Sequence, residues 1–268
     1  MIVRSIENIG RSVIDFVSFV GAIGLLMARA TLSGRVLVGP RRARRMALAG
    51  VFAQMVRVGV RSIGIVSLVV FCIGVILTLQ IVPILETYGA KEQIARVIGV
   101  SMFRELGPLV GAIVLTGFAG ASIAAEIGTM AVSEEIEALQ THAIDPIRFL
   151  VMPRVLATSV MTVCLAVVAD CLGVLGGLLS AWIIADIAPQ YYLSLTFASV
   201  TVQDFVTGLF KASIFGAVIA LLACHLGLKT RNGAVGVGEA TTRTVVLTVV
   251  ALTFIDLLFT AIFYRLGW

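Results

Sequence analysis

Three charged residues lie inside apolar segments, where they could do chemistry. Arg104 and Glu105 stand at the start of one apolar run, just before Gly107-Pro108, and Lys211 lies within another. A charge in a hydrocarbon environment is costly, so each of the three is a candidate functional residue. Either cation could bind an anionic group such as a phosphate beside apolar walls. Alternatively, the three could form an ion pair between helices, because buried charges usually pair.

Three further acids lie in or beside apolar runs. Glu126 is near the end of its run, and we expect it to form an anchoring ion pair with Arg148 or Arg154. Asp170 and Asp256 are consistent in principle with a proton relay. Polar packing between helices is the commoner use of such residues, so we assign them no role.

Metal, redox and nucleotide chemistry are not indicated. His142 and His225 are far apart in sequence, and all four cysteines lie in apolar runs, where we expect small buried side chains. The sequence has no G-x-x-x-x-G-K-[ST] phosphate-binding loop. We therefore predict no metal site, no bound cofactor and no catalytic residue in this chain.

Composition identifies the elements that must position these charges. Of 268 residues, 59% are hydrophobic and only 13% are charged, which is more apolar surface than a water-soluble fold tolerates. Long apolar runs of this kind span membranes as helices. We predict an all-α polytopic membrane protein.

Five apolar segments are long enough to span a bilayer. They cover about 62–86, 103–127, 149–184, 203–226 and 244–264. The third is nearly twice the usual length, so it is either one long helix or a hairpin turning at Gly176-Gly177. One helix keeps Lys229, Arg231 and Arg243 on the side of the N-terminal arginines, in agreement with the positive-inside tendency. We predict one helix, a cytoplasmic N-terminus and an external C-terminus.

Residues 1–61 precede these spans and form a region of their own. Apolar residues at spacings of three and four predict an amphipathic helix at the membrane interface: Ile6, Ile9, Val13, Phe16, Val20, Ile23 and Met27. A first spanning helix beginning near Phe16 is the alternative. The arginines that follow favour the cytoplasmic side: Arg29, Arg35, Arg41, Arg42, Arg44 and Arg45. Residues 46–61 then lead as an elbow into the region with the five spans, residues 62–268.

A short charged segment, residues 133–145, separates the second and third spans. We expect Ser133 to be the N-cap and Asp145-Pro146 to end the helix. Acids at the start suit the helix dipole, and apolar residues form a stripe on the other side. The acids are Glu134, Glu135 and Glu137, and the stripe is Ile136, Leu139 and Ala143. From these residues alone, a docking helix and a solvated loop helix are equally well supported.

Small residues recur every four positions in the second span. One stripe is Gly120, Ala124 and Gly128, and beside it run Gly117, Ala121 and Ala125. Small residues at this spacing let helix backbones approach closely in lipid. Packing within one subunit is favoured over a dimer contact for either stripe.

Two stretches resemble a known family. The first is RELGPLVGAIVLTGFAGASIAAEIGTMAVSEEIEALQTHAIDPIRFLVMPRVLA, from Arg104 to Ala157, and the second is VGEATTRTVV, from Val237 to Val246. Both are similar to motifs of the MlaE/YrbE permeases, the membrane subunits of bacterial ABC-type lipid transporters. The resemblance covers most of the chain. One departure is Phe118, where similar proteins usually carry arginine.

The resemblance implies a function and a set of partners. Residues 133–145 would be the coupling helix that docks on a cytoplasmic ATPase, and that ATPase would use ATP and magnesium. Arg104, Glu105 and Lys211 match positions near an outward-facing pocket for phospholipid. The expected partners are a second copy of the chain, the ATPase, a periplasmic MCE-domain protein and a small STAS-like cytoplasmic subunit, with no nucleic acid. The expected location is the bacterial inner membrane, and the expected role is phospholipid exchange that maintains outer-membrane lipid asymmetry.

Other functions remain open from the sequence. A proton-coupled secondary carrier would use Asp170 and Asp256, although no internal repeat of the kind found in such carriers is visible. An ABC permease for another apolar cargo, such as a sterol, would need the same partners. A non-transporting membrane scaffold is a third possibility, against which the intramembrane Lys211 argues mildly.

Overall fold

The computed structural model describes residues 2–33 and 41–267, and the side chains of residues 2–13, 15, 16, 33, 41–44, 46 and 47 are outside that description. Within the described part the regular structure is entirely helical. The helices are α1 Ile2–Ser33, α2 Arg41–Met55, α3 Ile63–Thr87, α4 Ile94–Ser101, α5 Gly107–Leu115, α6 Ala121–Val132, α7 Glu135–Thr141, α8 Met152–Ala185, α9 Pro189–Ser199, α10 Val202–Leu228 and α11 Gly233–Arg265. Wider π turns at Val56–Val60, Met102–Leu106, Thr116–Gly120 and Ile147–Val151 join several of them.

Five helical segments are long and apolar enough to cross a membrane, which confirms the predicted architecture. They are Ile63–Thr87, Lys91–Val132, Ile147–Ala185, Val202–Leu228 and Gly233–Arg265. The second and fifth begin about three turns earlier than predicted. The charged and small polar residues before the predicted starts are mostly exposed, and the helical backbone nevertheless continues through them.

The third span is one helix, as predicted, and the glycines at its middle serve close packing. A Cβ added at Gly176 would overlap the carbonyl oxygen of Phe71, and one at Gly74 would overlap that of Gly173. Backbones of α3 and α8 therefore touch along this crossing. Such contact requires glycine on both helices, which is a packing mode suited to lipid, where dispersion forces rather than water exclusion hold helices together.

The bundle has two ends, which we name by their elements. The α7 end carries α7, the C-termini of α6 and α10 and the N-termini of α8 and α11. The α9 end carries α9 and the connection between α3 and α4. Two apolar clusters fill the interior, one built around Leu115, Ile127 and Phe215 and the other around Ile98 and Tyr192.

The N-terminal helix packs on the bundle through residues in its second half. Leu26 and Ala30 are buried in the core near the α7 end, whereas Val20 and Met27 are exposed. Ile23, also in the predicted stripe, packs against the same core. The side chains of the other four members, Ile6, Ile9, Val13 and Phe16, are outside the described residues. Among the predicted arginines, Arg35 is outside the described residues, as are the side chains of Arg41, Arg42 and Arg44, while Arg29 and Arg45 are exposed.

Candidate functional sites

Lys211 is the centre of a charged cluster between three helices. Its ammonium donates to Glu105 Oε2 at 2.6 Å, to Asp256 Oδ1 at 3.0 Å and to Thr260 Oγ1 at 3.0 Å. Thr260 Oγ1 in turn donates to Glu105 Oε1 at 2.9 Å. We call Lys211, Glu105, Asp256 and Thr260 the Lys211 cluster. The lysine side chain is only 1% exposed, and its three N–H donors are all used.

The helix that carries Glu105 is distorted at that residue. Met102–Leu106 is a π turn, and Pro108 lies in the first turn of α5 directly after it. The wider turn accommodates proline, which has no backbone N–H to give to the helix. The prediction that Arg104 and Glu105 begin the second span is wrong, because the span already starts at Lys91 and both residues lie well inside it.

Arg104 points away from the Lys211 cluster. Its Nε lies 3.4 Å from Asp204 Oδ1, near the N-terminus of α10. Asp204 is held by a capping box, in which its Oδ2 accepts from the backbone N–H and the hydroxyl of Thr201. Two of the three charges predicted to pair or to bind a ligand, Glu105 and Lys211, therefore pair with each other. The third, Arg104, pairs with Asp204, which the sequence did not indicate as a candidate.

A groove of about 730 Å³ opens beside Arg104 at the α9 end. We call it the α4–α10 groove. Arg96 and Arg104 line it together with Gln93, Gln203 and one acid, Asp204, which is already bound to Arg104 and Thr201. Both guanidinium groups retain donors for a ligand, because Arg104 is about one-third exposed and Arg96 is exposed. The groove is therefore suited to an anionic group.

The charged segment near residues 133–145 forms a shorter helix than predicted. Glu135–Thr141 is helical, and Glu134 precedes it in the left-handed conformation with φ of 60°. The predicted N-cap is wrong: Ser133 Oγ donates to Thr129 O and to Glu135 Oε1 instead. Asp145 does not end this helix but caps the next one, since its Oδ1 accepts from the Ile147 N–H at 3.0 Å.

The faces of α7 divide as predicted for Ile136 and Leu139 but not for Ala143. Glu135 and Glu137 are exposed, Leu139 is half-buried, and Ile136 packs against the core. Ala143, the third member of the predicted stripe, lies beyond the helix and is exposed, with φ of 57°. The helix thus presents an acidic surface at the α7 end while its apolar side is seated on the bundle.

One of the two small-residue stripes packs inside the chain. Gly120, Ala124 and Gly128 are buried. A Cβ at Gly128 would lie 3.0 Å from Thr230 Oγ1. In the neighbouring stripe Gly117 is exposed, and Ala121 and Ala125 are half-buried. The favoured reading, packing within one subunit, fits the first stripe only.

Glu126 is the centre of a second charged group, towards the α7 end. Its Oε2 lies 3.0 Å from Arg154 Nη2, as one predicted alternative had it, and its Oε1 lies 2.8 Å from Arg57 Nη1. Arg154 also donates to Leu150 O at 2.8 Å. We call Glu126, Arg57 and Arg154 the Glu126 triad. Arg57 was missed because it belongs to the elbow, and no sequence spacing relates it to α6.

The remaining predicted residues are dispersed. Asp170 is buried against Gly107, and its Oδ1 has no hydrogen-bond partner among the described residues, whereas Asp256 belongs to the Lys211 cluster. The four cysteines are free, and three are exposed rather than buried as expected, namely Cys72, Cys164 and Cys171. Among the described residues, no group of His, Cys, Asp and Glu side chains is placed to hold a metal ion.

The fold and these sites define a class, a multi-pass α-helical membrane protein with buried ion networks. Residues 51–262 match the family model of the MlaE permease. A probable ABC transporter permease protein of Rickettsia felis is 34% identical over 99% of this chain and 100% of its own length. The intermembrane phospholipid transport system permease protein MlaE of Haemophilus influenzae is 31% identical over the whole of both chains. The chloroplastic protein TRIGALACTOSYLDIACYLGLYCEROL 1 of Arabidopsis thaliana is 31% identical over 79% of this chain and 61% of its own.

The chain therefore belongs to the MlaE permease family. Membership makes it a transport subunit rather than an enzyme, in agreement with its sequence. The comparisons confirm the resemblance carried by the stretches from Arg104 to Ala157 and from Val237 to Val246.

Proposed function

We propose that this chain is the membrane subunit of an ABC-type transporter that moves phospholipid between membranes. Its relative in Haemophilus influenzae is named for intermembrane phospholipid transport, and its Rickettsia relative for ABC transport. The structural observation that carries the proposal is the α4–α10 groove. There two arginines face an open volume of about 730 Å³ beside spans whose outer surfaces are apolar.

Arg104, rather than Lys211, is the first contact for a phosphate head group. All three N–H donors of Lys211 are bonded within the Lys211 cluster, whereas Arg104 makes one contact, at 3.4 Å, to Asp204. A guanidinium has five N–H donors in a planar fork that matches phosphate oxygens. Arg96 adds a second guanidinium on the same groove. Acyl chains would lie against the exposed apolar side chains of the spans.

Energy would enter at α7. The chain lacks a phosphate-binding loop, so ATP and magnesium belong to a separate cytoplasmic ATPase. The exposed acids Glu135 and Glu137 form a surface that such a partner can contact, and Ile136 connects that surface to the core. Closure of the ATPase would push on α7 and be passed to α6 and α8, which flank it in the chain.

The remaining assembly follows the family. A second copy of the chain would complete a central apolar cavity, and a periplasmic MCE-domain protein would receive or deliver lipid at the α9 end. A small STAS-like subunit would bind on the cytoplasmic side. The α7 end would face the cytoplasm and the C-terminus the periplasm, because Lys229, Arg231 and Arg243 share that end with Arg45. The location would be the bacterial inner membrane, and the role maintenance of outer-membrane lipid asymmetry.

Substitutions on α7 test the coupling. We expect Glu135→Lys with Leu139→Asp to abolish stimulation of the ATPase and lipid transfer in proteoliposomes that contain the whole transporter. Gln140→Ala, at an exposed position of the same helix, is the matched control and should leave both unchanged. Unchanged transport in the double variant would contradict a coupling role for α7.

Substitution of Arg104 tests the site. Arg104→Gln should reduce co-purified phospholipid, measured by native mass spectrometry, by roughly tenfold for one lost charge-assisted contact. Equal lipid content in the variant and the parent would contradict the groove as head-group site. Co-purified sterol in place of phospholipid would identify sterol as the cargo. Transport that continues without the ATPase but stops with a protonophore would identify a proton-coupled carrier.

A further inference from the structure

The Lys211 cluster has an unbalanced set of charges. One ammonium meets two carboxyl groups, those of Glu105 and Asp256, at 2.6 and 3.0 Å. With both carboxyls ionised the cluster would carry a net charge of −1 inside the spanning region. An uncompensated charge at such a position is costly and is usually removed by pairing or by binding a proton.

Among the residues that the structure describes, no second cation reaches the cluster from the helices packed around it. Arg104, on the same π turn as Glu105, is directed to Asp204 on α10. The charged groups that act on Asp256 are Lys211 and Glu105. From α11 the contacts are the Thr260 hydroxyl and the Phe263 ring, whose centre is 5.9 Å from Lys211 Nζ. On α8, which packs against α10, the nearby acid Asp170 faces Gly107.

The two carboxyl groups are held around the same donors: Lys211 Nζ donates to both, and Thr260 Oγ1, which accepts from Lys211, donates to Glu105 Oε1. An ionised carboxylate is only an acceptor, and two like charges held around one ammonium repel each other unless one of them carries a proton. Charge balance and geometry therefore indicate the same state: an ammonium, a carboxylate and a carboxylic acid, with a net charge of zero.

We propose that the Lys211 cluster binds one exchangeable proton, shared between Glu105 and Asp256, and that this proton controls phospholipid binding at Arg104. The second half rests on the proposed function. Lys211 and Asp204, the partner of Arg104, are seven residues apart on α10, or about 10 Å along the helix. Loss of the proton would place a negative charge on the order of 10 Å from a phosphate bound at Arg104. At an effective dielectric constant of about 20 the repulsion weakens binding roughly tenfold.

Infrared spectroscopy of the full-length chain in a maltoside detergent, which has no ester carbonyl, detects the proton directly. We expect a protonated-carboxyl band that shifts in D2O and disappears at high pH. Because the proton is shared, Glu105→Gln and Asp256→Asn should each remove the band. Asp170→Asn is the matched control, since it changes a buried acid outside the cluster and should leave this band in place. A spectrum unchanged by both cluster variants would overturn the proposal.

The consequence for lipid is measured separately. Phospholipid retained by the chain is quantified by native mass spectrometry after washing at increasing pH. In the parent, we expect the amount of retained phospholipid to fall roughly tenfold as the infrared band disappears. In Asp256→Asn, whose asparagine side chain carries no charge at any pH, we expect the phospholipid to be retained. Equal pH dependence in the two proteins would refute the control of binding by the proton. An infrared band without bound lipid at any pH would instead support the proton site and contradict the proposed function.

Discussion

Substitution of Glu126 by glutamine measures what holds the α7 end together. The carboxylate of Glu126 pairs with two arginines of very different burial: Arg154 is 5% exposed and Arg57 is 42% exposed. Glutamine keeps the shape of the side chain but leaves both guanidinium groups without a counter-charge. The cost must come mainly from Arg154, because a buried charge that loses its partner cannot be solvated.

The burial of each partner sets the magnitudes. Removal of one member of a buried pair costs about 3–5 kcal/mol, and Glu126 itself is 29% exposed, so we expect Glu126→Gln to lower the free energy of unfolding by about 3 kcal/mol. The Arg57 pair is largely solvent-screened, and Arg57→Gln should cost about 0.5 kcal/mol. Replacement of the buried pair by apolar residues, Glu126→Leu with Arg154→Met, should recover most of the loss.

Reversible unfolding in mixed detergent micelles, followed by far-ultraviolet circular dichroism, measures these differences. We expect Glu126→Gln to be the least stable of the three proteins, Arg57→Gln to be intermediate and the parent to be the most stable. If Arg57→Gln were as destabilising as Glu126→Gln, burial would not be what determines the strength of the triad. If the apolar double variant were less stable than Glu126→Gln, the loss would arise from packing rather than from an unpaired charge.

Two further expectations concern helix packing and the α9 end. Gly74→Ala should destabilise the chain by about 1–3 kcal/mol, because the added methyl group overlaps the backbone of α8. Gly64→Ala on the same helix is the control, since its methyl group meets open space and should not destabilise the chain. Equal thermal stability of the two variants would contradict the close crossing of α3 and α8. The phenol of Tyr191 donates to Glu92 Oε2 at 3.1 Å, and this hydrogen bond raises the pKa of Tyr191. The bond therefore stabilises the folded chain below the ordinary tyrosine pKa of about 10, and that stabilisation is lost as the pH rises through the raised pKa. Glu92→Gln should lower that pKa in ultraviolet titrations corrected with Tyr191→Phe, and an unchanged titration would show that the bond does not form.

Local sequence signals identified the elements but not their ends. Apolar length located all five spans, and the positive-inside tendency selected one helix over a hairpin at Gly176-Gly177. The same signals placed the start of the second span near residue 103 instead of Lys91. The error has a physical cause. A charged residue in a sequence indicates the end of a membrane span, but Glu105 forms an ion pair with Lys211 inside the bundle, and a π turn lets the helix continue past Pro108.

Helix capping was harder to predict than helix position. Ser133 and Asp145 are good capping residues, but each serves a different purpose in the structure, Ser133 at the end of α6 and Asp145 at the start of the next helical segment. Side-chain preferences say that a residue can cap, not which of two adjacent termini it caps. The choice depends on where the left-handed residues Glu134 and Ala143 break the chain.

By itself the sequence determined that this chain crosses a membrane five times, that a short acidic helix separates the second and third spans, and that Lys211, Arg104 and Glu105 are unusual. Composition and apolar length suffice for this, because the bilayer permits only helices whose backbone bonds are internal. Tertiary structure alone decided the pairings. Lys211 meets Asp256 and Glu126 meets Arg57 across long sequence separations, because helix packing, and not spacing along the chain, brings opposite charges within 3.0 Å.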